Sequence, residues 1–269
     1  MKKRVLFVNQ EIMPYLPENH ISKIGRYLPQ GIQEKGKEIR TFMPRFGSIN
    51  ERRNQLHEVI RLSGMNLIID DHDHPLIIKV ASIQQARMQV YFIDNEEYFK
   101  RKFTITDAKG KFFDDNDERT VFFSRGVIET VKKLGWAPDI VHIHGWMSAL
   151  VPIYLRKAFK DNPLFDNTKI IVSLYNDEFE DTLKDNLIPR IKMEGIEDSD
   201  LEMFKGGTYL ELMQGALKYC DAVIYGDKDL SEDLVKMAEA TGKPILNYQS
   251  EEDYIDAYNT FYDSLIEEE

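Results

Sequence analysis

The chain has 269 residues, 42% of them hydrophobic and 30% charged, which is enough apolar material for one sizeable core and too much for a disordered chain. A formal net charge of −11, with no basic stripe interleaved with aromatics, argues against nucleic acid and anionic membranes as partners. The single cysteine, Cys220, excludes an intrachain disulfide and a thiolate metal cluster, and a buried, inert thiol is expected there.

Lys2, Lys3 and Arg4 precede only four apolar residues, Val5 to Val8, too short a run for a signal-peptide core or a membrane span. A cytoplasmic protein is the simplest reading. The same run suits a buried parallel strand. After a polar loop with two prolines, Glu11 to Glu18, the residues Ile21, Ile24, Leu28 and Ile32 recur at helical spacing up to Gly36. Glu38 to Met43 reads as the next strand, ending at Pro44, so the chain opens as a βαβ unit.

From 56 to 93 the pattern becomes β-rich, with runs at His57–Leu62, Met65–Ile69, Leu76–Ala81 and Met88–Ile93. Turn-forming clusters at Asp70–Asp71 and Asp73–Pro75 separate them, which predicts an antiparallel insertion or sheet edge. The α/β rhythm then returns. Helices are predicted over Glu118–Leu134, Trp146–Phe159, Tyr209–Tyr219 and Lys228–Ala240. Strands are predicted over Ile140–His144, Lys169–Leu174, Asp221–Tyr225 and Pro244–Leu246. A tail helix over 251–266 carries Tyr254, Tyr258, Phe261, Tyr262 and Leu265 on one stripe. That stripe is expected to pack on the domain, with a protein-docking or self-association face as the alternative and a sugar-stacking surface as the third. The acidic end, Glu267–Glu269, reads as solvated. One α/β Rossmann-like domain spanning 1–269, with a mostly parallel sheet, accounts for the whole pattern.

Several stretches carry a family resemblance: Val5–Pro14 (VLFVNQEIMP), Phe42–Ile49 (FMPRFGSI), Gln89–Phe99 (QVYFIDNEEYF), Asp115–Arg119, Pro138–Trp146 (PDIVHIHGW) and Gly215–Tyr225. In this order, over roughly the first 235 residues, they resemble the N-terminal half of the glycogen and starch synthases. Those enzymes have two Rossmann-like halves (the GT-B fold). The resemblance implies that this half leans toward the acceptor glucan and that a C-terminal half, about another 200 residues by ordinary domain size and not expected in this chain, grips ADP-glucose. The candidate ligands are therefore α-1,4-glucan and ADP-glucose, with no cofactor.

Four positions depart from the family pattern. Its Lys-x-Gly-Gly-Leu loop, where lysine and bare backbone face the diphosphate, becomes Pro17-Glu18-Asn19-His20-Ile21. Its His-Asp-Trp becomes His144-Gly145-Trp146, its Thr-x-His-Asn becomes Ser173-Leu174-Tyr175-Asn176, and its Val-Ser-Pro becomes Ile224-Tyr225-Gly226. The residues assigned to a sugar cleft are His144, Trp146, Asn176, Asp115 and Asn116. His144 sits where ligands lie in open α/β sheets; the alternative is a histidine satisfied by a backbone carbonyl. His142 is read as a packing residue on the other face of the strand. Asp115, Asn116 and Arg119 fit a helix cap better than chemistry. Asp71-His72-Asp73-His74 reads as a solvated hairpin turn, with no metal site, and Gly206–Gly207 as a loop in preference to a phosphate cradle.

Three functions remain open. The first is a glycogen- or starch-synthase-like protein that binds glucan or a partner enzyme without being a catalyst alone. The second is an ADP-glucose-dependent glucosyltransferase subunit completed by a separate half. The third is an interaction or scaffold protein whose tail helix is exposed.

Overall fold

The computed structural model describes residues 2–183 and 186–267. Ten strands form in chain order: β1 Arg4–Asn9, β2 Glu38–Pro44, β3 His57–Glu58, β4 Met65–Ile69, β5 His72–Ile83, β6 Met88–Asp94, β7 Ile140–His144, β8 Lys169–Leu174, β9 Ala222–Tyr225 and β10 Ile245–Leu246. They lie in the order β10-β9-β8-β7-β1-β2-β6-β5-β3, with β4 paired to β5 off this path. Pairing is parallel from β10 through β6 and antiparallel at β5, β3 and β4. The domain is thus α/β with a mostly parallel sheet and a small antiparallel part.

From β1 the chain moves outward to β2 and β6, then returns to β7 on the opposite side of β1. That reversal puts a topological switch point between β1 and β7, and ligands of open α/β sheets lie just beyond such strand ends. Here those ends carry Asn9 to Glu11 and His144 to Trp146.

Alternation along the parallel strands divides the core. On β1, Leu6 and Val8 face one cluster, while Val5 and Phe7 face another with Ile140, Ile171, Ala222 and Ile224. The second face is covered by two helices. The helix His20–Glu34 contributes Ile24, Leu28 and Ile32, and the tail helix Tyr254–Glu267 contributes Tyr254, Tyr258, Tyr262 and Leu265. Phe261 sits at the edge of this face, half-buried, and Tyr258 points inward, so the exposed aromatic stripe of a scaffold helix is not found. The two helices approach closely at Gly31, where an added Cβ would stand 2.5 Å from Ile255 Cγ2. The buried Lys37 amine ties the tail down through Asn259 (2.7 Å) and Asp263 (2.7 Å).

The β-rich region differs from expectation in two places. The run expected over His57–Leu62 pairs only at His57–Glu58, because Val59 to Ser63 fold into a turn whose N–H groups return to Val59 and Ile78. The turn expected at Asp73–Pro75 is strand, since β5 begins at His72. Asp70 and Asp71 alone, both left-handed (φ 50° and 62°), make the two-residue hairpin. Pro75 is tolerated because it faces β4 before the ladder to β6 begins at Ile77. The helix Asn116–Leu134 ends at Gly135 in left-handed geometry (φ +61°).

The helix expected over Trp146–Phe159 is broken into a 3-10 turn at Trp146–Ser148, one α-turn at Val151–Ile153 and a π-turn at Tyr154–Ala158. Pro152 is the cause: it has no N–H for the Ser148 carbonyl, so the helix must restart beside it. The helix expected from Lys228 begins later, at Glu232. Among the described residues no helix is long and apolar enough to cross a membrane.

The Tyr262 hydroxyl lies 2.6 Å from His142 Nδ1 in the sheet beneath it. Tyr262→Phe leaves that buried nitrogen without a partner, so urea unfolding is expected to show a loss of about 1–3 kcal/mol. An unchanged midpoint would mean the tail is not held through this bond.

Candidate functional site

His142 and His144 are two residues apart on β7, so strand periodicity puts them on the same face. The expectation of opposite faces is corrected: their ring centroids are 3.9 Å apart, and both side chains are fully buried. His142 uses both nitrogens, Nε2 with Ser173 Oγ at 2.7 Å and Nδ1 with the Tyr262 hydroxyl. His144 Nδ1 lies 2.7 Å from the Tyr175 hydroxyl, not against a backbone carbonyl. Its Nε2 is buried with no hydrogen-bond partner, as are both polar atoms of Asn9, its register neighbour on β1.

Burial, and then the proximity of His144, hold His142 well below the ordinary histidine range. Burial likewise brings His144 down to about 3, with a smaller effect from His20. Both rings are neutral at any physiological pH. Tyr175 keeps its proton, because burial pushes the phenol well above its usual range.

Gly145 turns the chain out of β7 with φ +86°, and a Cβ there would stand 2.6 Å from Gln10 Cβ. An acid at this position would need a strained backbone and would collide with Gln10, whose Oε1 accepts the Met147 N–H (3.0 Å). Trp146 does not face a cleft. It is buried against Phe112 and packs edge-on to Phe179 at 4.8 Å. Its backbone N–H donates to Asp177 (3.2 Å), which also accepts from the Tyr209 hydroxyl (2.7 Å). Burial, against the lowering effect of these hydrogen bonds, raises the Asp177 carboxyl to about 6.

Asn176 is exposed but fully engaged. Its amide N–H donates to Asp227 (2.7 Å), and its side chain bonds the Asp229 carbonyl and the Ser231 N–H. It therefore ties the loop after β9 to the end of β8. Asp115 does not cap its helix with its side chain; the carboxylate pairs with Arg101, while its carbonyl accepts the Arg119 N–H. Asn116 is buried and holds Ile105 and Arg119. Asp115 and Asn116 bond Arg101, Ile105 and Arg119, apart from the His144–Tyr175 pair.

The loop Pro17–His20 ends in a cap. Asn19 Oδ1 accepts the Ser22 N–H at 2.8 Å, and Ser22 Oγ accepts the Asn19 N–H at 2.9 Å. The Asn19 amide also donates to the Glu11 carboxylate. His20 Nε2 is 2.8 Å from the Gly226 carbonyl and 3.4 Å from Asp227 Oδ1. Lys23, in the first turn of the helix, is spent on Glu18 and Glu251, each at 3.4 Å. Beside this cap a cavity of about 100 Å³ is lined by His20, Lys23, Tyr27, Gly226 and tail residues Tyr254 and Tyr258.

At Gly206–Gly207 the Glu211 carboxylate already accepts the N–H groups of Gly206 (3.2 Å) and Thr208 (3.1 Å), so a side chain of the protein fills that cradle. Of the supposed solvated turn, His74 is buried, contrary to expectation. No group of three or more His, Cys, Asp or Glu stands ready to hold a metal among the described residues. Burial raises the Cys220 thiol to about 11, which keeps it protonated and inert.

Sequence reasoning passed over Tyr175, Asp177 and Tyr209. The available signal was their placement, since Tyr175 and Asp177 follow directly on the C-terminal end of β8.

Residues 4–243 match the family model for the starch synthase catalytic domain. A glycogen synthase from Chlorobium limicola is 29% identical over 233 residues, covering 86% of this chain and 47% of that protein. One from Chlorobium luteolum is 36% identical over 174 residues, covering 64% of this chain and 36% of that protein. The catalytic domain of starch synthase IV from Arabidopsis thaliana, solved bound to ADP and acarbose, shares the fold with a TM-score of 0.73 at 16% identity. That match covers 93% of this chain and 52% of that one. The chain spans about half the length of these relatives or less.

The buried histidines set a pH dependence. Their folded pKa values lie below the unfolded value, so as pH falls through about 6.5 the unfolded chain takes up two protons that the folded one refuses. Their contribution is complete above that pH and is lost progressively below it, for His144 down to about 3. Asp177, raised to about 6, opposes this by taking one proton in the folded state. The net excess of one proton predicts a loss of about 1.4 kcal/mol per pH unit between about pH 6 and 5. Urea unfolding across that window checks it, and His144→Phe should bring the slope close to zero.

Proposed function

The chain belongs to the starch synthase catalytic-domain family, and from that premise we propose that it serves glucan metabolism as the glucan-facing or partner-facing half of a GT-B cleft and does not grip ADP-glucose by itself. One observation carries the reading: the helix N-terminus at Asn19 is capped by the protein's own side chains, which take the Ser22 N–H, and is surrounded by acids. A helix start binds a phosphate when free N–H groups and a favourable dipole meet the anion. Here the Ser22 N–H is taken by Asn19, and Glu11, Glu18 and Asp227 stand around the loop. A diphosphate arriving there would meet like charge. Lys23 cannot compensate, because two carboxylates already hold it.

The histidine pair supports the same reading. A sugar hydroxyl reaching the unpartnered Nε2 of His144 would have to enter a fully buried position. We place the glucan-facing surface at the ends of β1, β7 and β8, with Asn176 and Asp177 at its rim and Asp115 and Asn116 holding the neighbouring loop.

A second reading is an ADP-glucose-dependent α-1,4-glucan glucosyltransferase completed by a separate C-terminal half. It is favoured by the relatives named glycogen synthase and by the starch synthase IV domain bound to ADP and acarbose. In that case the positive groups that stabilise the leaving diphosphate would all come from the other half.

Calorimetric titration with maltoheptaose, acarbose and ADP-glucose separates the two. Saturable heat with maltoheptaose or acarbose and none with ADP-glucose is expected. Saturable binding of ADP-glucose to this chain alone would overturn the reading of the Pro17–Ile21 loop, and silence toward both glucan probes would overturn the glucan side.

A further inference from the structure

The sheet ends at β10 on one side and at β3 on the other, and neither outer edge has a strand partner among the described residues. We propose that these two ends dock on each other between molecules, so that copies of this chain associate head to tail. None of the residues assigned to the sugar cleft takes part.

Strand direction permits the contact. From β10 to β6 every neighbouring pair is parallel, and β6 and β3 both run antiparallel to β5. β3 therefore runs in the same direction as β10. A second molecule displaced along the sheet, without being turned over, brings its β3 edge beside the first molecule's β10 edge as a parallel pair. Each edge is short, His57–Glu58 against Ile245–Leu246, so main-chain bonding alone holds little.

Side chains supply the rest. Ile60, two residues beyond β3, is the most exposed large hydrophobic side chain of the described residues, at 79%. One such residue is ordinary on a surface; here the opposite end of the sheet holds a groove that fits it. The groove measures about 490 Å³ and lies between β10 and the tail helix, with Leu246, Ala257 and Phe261 as its apolar lining and Asp253, Asp256 and Thr260 beside them. Leu246 and Phe261 are only half-buried, so an isoleucine seated there covers apolar surface on both molecules.

Charge selects a second copy as the occupant. Arg52, Arg53 and Arg61 flank Ile60 in the chain, all exposed and outside any ion pair among the described residues. Glu51 is held by Arg45 and Lys79, which leaves Glu58 as the one acid opposing them. At the groove Asp256 is shared with Lys35, while Asp253 and its neighbour Glu252 have no cation among the described residues. One end of the sheet is thus basic on a chain of net charge −11, and the other is acidic. Opposite ends attract and like ends repel, which favours a head-to-tail contact over a two-fold one. A contact between two different patches does not close on itself, so growth continues past a dimer.

Sedimentation velocity of the intact protein tests this. Average mass is expected to rise between about 10 µM and about 500 µM without stopping at a dimer, and to fall as NaCl goes from about 50 to about 500 mM. Ile60→Asp removes the apolar tip, and Thr260→Arg fills the groove with a charge that repels Arg61; both positions are exposed. Each variant alone is expected to associate at least about tenfold more weakly than the parent. Mixed in equal amounts they are expected to form a one-to-one dimer and nothing larger, because one keeps an intact groove and the other an intact tip. A parent protein that stays monomeric over this range overturns the proposal, as does one that stops at a closed dimer. It is equally overturned if either variant associates like the parent, or if the mixture stays monomeric.

Discussion

Two neutral imidazoles packed 3.9 Å apart in the sheet set the terms for the rest of the molecule. Neither takes up a second proton there, because burial penalises the charged form and, for His142, the neighbouring His144 adds to the cost. Their polar atoms still need partners, and the partners come from distant parts of the chain: Ser173 on β8, Tyr175 just past it, and Tyr262 on the tail helix. The pair therefore fixes the end of β8 and anchors the tail. It also closes the crevice at the switch point from below. The tail's hold on the sheet and the inaccessibility of His144 are two results of one network.

The helix start above that network is closed by a different device. Asn19 and Ser22 exchange hydrogen bonds across the first turn, so the orphan donors that would meet an anion are partly satisfied within the protein. Glu11, Glu18 and Asp227 stand around that cap. Elsewhere the structure repeats the pattern, with Glu211 occupying the Gly206–Gly207 turn and Asn176 spending its amide on the loop after β9. In each place a helix start or loop is held by the protein's own side chains.

Much of this was legible in the sequence. Short apolar runs located the parallel strands, since β1, β7 and β8 are buried on both faces and show no alternation. What escaped depended on contacts between distant residues. Nothing local announces that Tyr175 and Tyr262 will meet a histidine, or that Asp177 will accept from Tyr209. Trp146 read as cleft-facing because its place in the motif was clear, whereas its ring direction is set by Phe112 and Phe179. His142 was assigned the wrong face although period two already placed it beside His144. His74 was taken as solvated because four polar residues in a row look like a turn, yet the turn is confined to Asp70 and Asp71.

The sealed state of the switch point is tested most directly by the side-chain nitrogen shifts of His142 and His144 followed from pH 7.5 to 5. Both rings are predicted to remain neutral throughout, each in a single tautomer, and to be unmoved by maltoheptaose. Titration of either ring near 6.5 would contradict the account, because it would mean that solvent, and with it a sugar hydroxyl, reaches the end of β7.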